Sequence, residues 1–324
     1  MGNLAQTIAP VQTAYQMVHR AASTKGNASH SRPIGAEKPL ALPGAFPQLS
    51  VEYERELGIV WYFMQPEPRP CFTRQLLRDI KQFQQAVRRA FEEPKVKPTD
   101  IKYLVLGSRR PGVFNLGGDL ALFIDLIKRR DRERLTHYAV ECIEVLYPNA
   151  ISMDLPLTTI SLVQGNALGG GFEAALSSNA LIAEKGTQMG LPEILFNLFP
   201  GMGAYSFIAR RLDAARAERM IRSGRTFTAE ELYEMGLVDG LAEPGQGEAT
   251  VRDYIRKQRR FANAITALQK VRRQVQPICY EELLDIALLW VDTALKLEER
   301  ELRIMERLVR AQNRLVATGL ERAA

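Results

Sequence analysis

The stretch Ile160–Glu173, ISLVQGNALGGGFE, constrains the fold more than any other part of the chain. Ile160–Gln164 is an apolar, β-branched-rich run with strand character, and FEAALSS, at the end of the glycine run Gly169-Gly170-Gly171, is helix-like. The backbone must therefore leave a strand and enter a helix through a corner that carries no Cβ. Such a corner lets a backbone N–H at the positive end of a helix approach a ligand oxygen and stabilise negative charge developing on it. Glu173 follows in the first helical turn. An electrophilic backbone beside a carboxylate is what enolate chemistry requires. Alone, the motif also admits a plainer reading, a tight turn whose glutamate only complements the helix dipole.

A second unit of the same kind precedes it. IKYLVLG (101–107) reads as a buried strand, SRRPGVFNLGGD as a loop, and LALFIDLIKRR as a helix, with the pair Gly117-Gly118 before Asp119. Two such corners can supply the two backbone donors of an oxyanion hole. Arg109 and Arg110 beside the second corner are candidates for meeting a phosphate, or are solvated loop charges. Further on, Pro192 fixes a turn before Glu193, which Leu191, Ile194, Leu195 and Phe196 surround in sequence. An apolar shell would raise the pKa of this carboxyl toward neutrality; a solvent-facing loop glutamate is the alternative.

The remaining elements frame these corners. LSVEYERELGIVWYFM predicts a hairpin around Glu56-Leu57-Gly58, and apolar positions 76, 80, 83, 87 and 91 predict a helix over 74–93. Asp131–Tyr147 reads as another helix, ALIAE as a strand, and Gly201-Met202-Gly203 as the opening of a helix. Thr228 with Glu231 forms a capping box for EELYEMG, and GLVDGLA returns as a strand. Beyond Pro244 the pattern turns helical, with an apolar stripe at 284, 288, 291, 295, 302, 305, 309 and 316 that either wraps over the core or packs against another subunit. Residues 1–48, rich in Pro and Gly, predict an irregular extension with a short helix near 13–21.

Composition excludes several chemistries. Three scattered cysteines, Cys71, Cys142 and Cys279, and three dispersed histidines argue against disulfides, a zinc site and a Ser/His triad. No apolar run approaches the ~20 residues that span a bilayer, and the N-terminus lacks a signal-peptide pattern, so a cytoplasmic location without membrane insertion is expected. The net charge of +6 favours an anionic partner such as acyl carrier protein, coenzyme A or nucleic acid, or is a merely Arg-rich solvated surface.

Taken in order, the opening hairpin, the long helix, IKYLVLGS, FNLGGDL, VQGNALGGGFEAAL, GLPEI, FPGMGA and TFTAEELYEMGLVDGLA resemble the crotonase (enoyl-CoA hydratase/isomerase) superfamily from about Leu49 to Pro244. The resemblance implies an α/β fold: a ββα spiral core over 49–245 and a C-terminal helical region, 246–324, that builds trimers or hexamers. Two glutamates twenty positions apart carry the proton transfers in hydratases of that family, and 193 − 173 = 20 here, with Glu at both positions. Within the superfamily the wording of FNLGGDL, GGGFEAALSS and MGLPEILFNLFPGMGAYSF is most similar to diffusible signal factor synthases, which make cis-2-unsaturated fatty-acid quorum-sensing signals.

That resemblance implies dehydration of a 3-hydroxyacyl-acyl carrier protein followed by thioester cleavage, without metal or redox cofactor. The substrate would be carried on phosphopantetheine, of acyl carrier protein or of coenzyme A, with Arg109 and Arg110 as the phosphate-binding candidates. Gly170 is expected to give one oxyanion donor and Leu116 or Gly117 the other. Glu193 is expected to take the Cα proton and Glu173 to protonate the 3-hydroxyl, or the reverse. An acyl pocket of roughly 300–1,000 Å³ is expected beside the corners, lined by Leu168, Met189, Leu191, Phe196, Leu198 and Met202. The alternatives are a plain enoyl-CoA hydratase of fatty-acid degradation and a non-catalytic nucleic-acid-binding protein of the same fold; nucleic acid is the less favoured partner, and a regulatory protein partner is also open.

Overall fold

The computed structural model describes residues 45–92 and 100–321. The expected short helix at 13–21 and nearly all of the 1–48 extension lie outside them. Ten strands form two sheets among the described residues. The larger one has the order β1 (Leu49–Glu54), β2 (Ile59–Met64), β3 (Tyr103–Ser108), β5 (Thr158–Val163), β7 (Ala180–Glu184) and β10 (Gly240–Ala242). β1 and β2 form the expected antiparallel hairpin, Leu49 opposite Met64 and Glu54 opposite Ile59, and every later neighbour is parallel. The smaller sheet runs β4 (Val113–Asn115), β6 (Asn166–Leu168), β8 (Gln188–Gly190) and β9 (Thr226–Thr228).

IVWYFM in β2 is apolar at every position because both faces of the large sheet are covered. Ile59, Trp61 and Phe63 point to one side, against Val251 and Ile255 of α8 (Gly247–Arg259). Val60, Tyr62 and Met64 point to the other, into the main core. There lie α1 (Arg74–Glu92), α2 (Leu120–Lys128), α3 (Arg132–Ala150) and α4 (Gly170–Ser177). α1 buries Leu76, Ile80, Phe83 and Val87, the face its spacing predicts, and Thr73 Oγ1 caps it by accepting from the Leu76 amide.

α5 (Ala204–Arg211), α6 (Ala214–Ser223) and α7 (Ala229–Glu234) follow, and the Thr228–Glu231 capping box forms as predicted. The C-terminal stripe proves to be two helices. α10 (Tyr280–Ala294) packs on α3 and α11 (Glu299–Glu321) on α2. Their buried residues include Leu283, Ala287, Trp290, Val291 and Ala294, then Leu302, Ile304, Met305, Leu308 and Ala311, a register partly different from the predicted stripe. Most of that apolar face covers this chain's own core. Leu289 of α10 stays exposed, and so does the preceding helix α9 (Ala262–Val275), none of whose residues is buried, with Leu268, Val271 and Val275 in water beside Phe261. Among the described residues no helix is long and apolar enough to cross a membrane.

Candidate active site

The two glycine corners meet at the ends of β4 and β6. β6 leads into Gly169, whose φ of +53° turns the chain into α4 at Gly170. A Cβ on Gly169 would run into Glu193 Oε1, so glycine is required there for that carboxyl to come close. Gly117, at φ +91°, lies against the same turn: a Cβ on it would stand 3.0 Å from the Gly170 nitrogen. The sequence therefore places two Cβ-free backbones in contact.

The donors are not both those expected. The Leu116 amide donates to Pro70 O at 2.7 Å, and the Gly117 amide donates to Asn115 Oδ1 at 2.8 Å, so neither is free. The loop before α1 runs beside this corner and takes up its first donor, a contact between residues 46 positions apart that no local motif announces. Among the described residues the amides of Gly118 and Gly170 have no acceptor, and both residues line the cavity described below. Gly170 stands at the first position of α4, where the helix itself leaves the N–H unused.

Glu173 lies one turn into α4, 1 % exposed, and its Oε1 accepts from the amides of Met202 (2.7 Å) and Ala204 (3.0 Å) at the start of α5. Glu193 opens a short 3-10 turn, Pro192–Phe196. The residue as a whole is half-buried, but its Oε2 is enclosed and has no hydrogen-bond partner among the described residues. Burial pushes the Glu173 carboxyl up to about 7, with the Ala204 and Met202 amides pulling it partly back. Burial, and then the charge of Glu173, push Glu193 well above the ordinary carboxylate value too. The apolar surroundings expected around Glu193 are thus only part of the cause. Two carboxyls in one dry site do not readily ionise together, and Glu173, with two amide donors to stabilise a charge, is the better placed of the two to carry it.

A cavity of about 90 Å³ opens from these groups into the main core. That is smaller than the expected 300–1,000 Å³, and gives room for roughly six to nine water-sized groups at ~10–15 Å³ each. Of the six predicted lining residues, Phe196, Leu198 and Met202 line it. Leu168, Met189 and Leu191 do not: Leu168 and Met189 sit in β6 and β8, which pair with each other, and all three are core. Sequence reasoning missed the residues from α1 and α3, among them Leu77, Ile80, Gln84, Cys142 and Leu146, together with Trp290 and Leu308 of the C-terminal helices. Polar Gln84 stands between Ile80 and Val87 on an apolar helix face, and that anomaly was the available signal. Burial pushes the Cys142 thiol far up, so it offers no thiolate nucleophile at neutral pH.

Arg109 and Arg110 lie outside this cavity, and their guanidinium groups are engaged. Arg109 pairs with Glu52 (2.6 Å) and Glu248 (3.3 Å) and stacks on the Phe63 ring; Arg110 binds Pro66 O and Glu67. They tie the hairpin to β3 and α8. Among the described residues no group of three or more His, Cys, Asp or Glu could hold a metal ion.

Comparison with known proteins finds both sequence relatives and structures of the same fold. The enoyl-CoA hydratase/isomerase family model matches residues 59–280. A curated relative, the peroxisomal fatty acid beta-oxidation multifunctional protein AIM1 of Arabidopsis thaliana, is 32% identical over 155 residues, 48% of this chain and 21% of that protein. The match thus spans about a fifth of that relative's length. Among solved structures, DspI of Pseudomonas aeruginosa is 26% identical with a TM-score of 0.58, covering 71% of this chain and 80% of its own. An enoyl-CoA hydratase from Bacillus halodurans is 20% identical with a TM-score of 0.66, covering 80% and 99%, and shares the fold.

Proposed function

Because the chain belongs to the enoyl-CoA hydratase/isomerase family, we propose that it dehydrates a 3-hydroxyacyl thioester and then hydrolyses the unsaturated thioester to a free cis-2 fatty acid. The observation that carries this reading is a pair of enclosed carboxyl groups, Glu173 and Glu193, beside two backbone donors, Gly118 and Gly170, that no described residue uses, all lining one largely apolar cavity. The finer step, release of the acid as a quorum-sensing signal, rests on the likeness of the motifs to diffusible signal factor synthases. The acyl group arrives on the phosphopantetheine of acyl carrier protein or coenzyme A.

The chemistry closes on these residues alone. The Gly118 and Gly170 amides hold the thioester oxygen and stabilise the enolate charge that forms when the Cα–H bond breaks. Resting protonation favours Glu173, the ionised member, as the base that takes that proton. Glu193, the neutral member, protonates the 3-hydroxyl as its C–O bond breaks, and water leaves. This is the second of the two divisions of labour that the sequence allowed. Glu193 is now the carboxylate and Glu173 the acid. Glu193 takes a proton from water as it attacks the carbonyl, the same amides hold the tetrahedral oxyanion, and Glu173 returns its proton to the departing thiolate. Both residues end as they began.

The coarser alternative is a hydratase that runs only the first half. Purified protein incubated with 3-hydroxydodecanoyl carrier protein separates the two by mass spectrometry. Free cis-2-dodecenoic acid supports the full reading. An enoyl thioester without free acid reduces the protein to a hydratase, and unchanged substrate rejects both.

A further inference from the structure

The inner end of the cavity is polar. α4 carries Gly170 and Glu173 at one end and Ser177 at the other, and all three line the cavity. Seven residues at ~1.5 Å each separate Gly170 from Ser177, about 10 Å. At the Ser177 end the Asn149 amide donates to Ser177 Oγ at 2.8 Å and to Ser178 Oγ at 3.1 Å, and Tyr62 OH donates to Asn149 Oδ1 at 3.2 Å. The Tyr62 ring stacks on Phe83 at 4.6 Å between centroids, next to Gln84 on α1. Gln84 Nε2 donates to Val145 O at 2.7 Å, one turn of α3 before Asn149. Tyr62, Gln84, Asn149 and Ser177 are each at least nine-tenths buried, and all four line the cavity.

One acceptor in this group is unused. The bond to Val145 O fixes which end of the Gln84 amide is nitrogen, so its Oε1 is the atom left over, and among the described residues no donor reaches it. A plain alkyl tail reaching this depth would leave that oxygen without a donor in a dry site, which is unfavourable. The Tyr62 oxygen, whose proton is committed to Asn149, is likewise an acceptor. Acceptors of this kind repel a carboxylate and give a ketone nothing to receive. They fit a hydroxyl.

We propose that the inner end of the cavity, at Gln84 Oε1 and the Tyr62 oxygen, is a subsite for a second hydroxyl group carried far along the acyl chain. This deepens the acyl-thioester reading and rests on it for the direction in which the tail lies. An extended chain advances ~1.2 Å per bond, so 10 Å from a carbonyl carbon held at Gly170 corresponds to about eight or nine bonds. The favoured hydroxyl is therefore on about the eighth to tenth carbon.

Unreactive amides separate this claim from catalysis. Dodecanamides bearing one hydroxyl, moved stepwise from carbon 6 to carbon 12, are titrated into the full-length protein by calorimetry. They lack the 3-hydroxyl and need no turnover, so the tail preference is readable even if the product assay fails. The expected result is a maximum of affinity at carbons 8–10, about two- to tenfold above the other positions, the worth of one hydrogen bond. The maximum should vanish in Gln84→Leu and in Gln84→Met, with melting curves showing both variants folded. Affinity that is flat along the series, or lowered equally by a hydroxyl at every position, means that a bound water satisfies Gln84 and overturns the proposal. So does an absence of binding by every amide.

Discussion

Replacing Glu173 by Gln should stabilise the fold at pH 8 and do little near pH 4.5. Burial raises this carboxyl from 4.5 to about 7, so across that interval the folded chain keeps a proton that the unfolded chain has released. Stability linked to a raised pKa is fully present below 4.5 and is lost as the pH climbs through about 7. The interval 7 − 4.5 = 2.5 units, at 1.36 kcal/mol per unit, amounts to roughly 3 kcal/mol. Gln carries no such cost, and its Oε1 can still accept from the Met202 and Ala204 amides. Removing the charge of Glu173 also relieves Glu193, which acts in the same direction. Urea unfolding of wild type and variant, at pH 5 and pH 8 and one protein concentration, reads the effect. The variant should gain roughly 2–3 kcal/mol more at pH 8 than at pH 5. An equal difference at both pH values, or a variant less stable at pH 8, would refute the desolvation argument for this carboxyl.

Three further outcomes follow from the same geometry. The pH profile of kcat/KM should fall about tenfold per unit below about 7, where Glu173 takes up a proton, and a profile flat from pH 5 to 7 contradicts the assignment. Leu146→Trp, at a cavity-lining position on α3, should shift chain-length preference toward shorter acyl groups in competition assays, whereas an unchanged preference places the tail elsewhere. The exposed apolar residues of α9, Leu268, Val271 and Val275, together with Phe261, should be covered by neighbouring copies in a trimer or dimer of trimers, and light scattering at micromolar concentration that gives a monomer mass rejects this.

What could be read from the sequence was local. The strand, glycine corner and helix around Gly169 are set by residues adjacent in the chain, as are the Thr228 capping box and the α1 face, and these formed as expected. What could not be read depends on partners far away in sequence. Leu116 loses its amide to Pro70, which leaves Gly118 as the donor at that corner, and no motif within FNLGGDL encodes the presence of the loop. Arg109 faces Glu52 and Glu248, one before and one long after it, so the charge that the sequence offered to a phosphate is paired with carboxylates in this structure. The cavity wall comes from α1 and α3 because periodicity shows which face of a helix is buried, not what it is buried against. The C-terminal stripe was apolar for the same reason, and its partner is this chain's own α2 and α3.

The central claim is that Glu173, with the Gly118 and Gly170 amides, removes a proton from the carbon beside a thioester carbonyl. Exchange of that proton in D₂O, followed by NMR on a saturated dodecanoyl thioester that cannot dehydrate, tests this step without requiring any later one. The account predicts exchange catalysed by the wild type, lowered about 10²–10⁴-fold in Glu173→Gln and largely retained in Glu193→Gln. Exchange that survives in Glu173→Gln and is lost in Glu193→Gln would reverse the roles, and no exchange by the wild type would contradict the account.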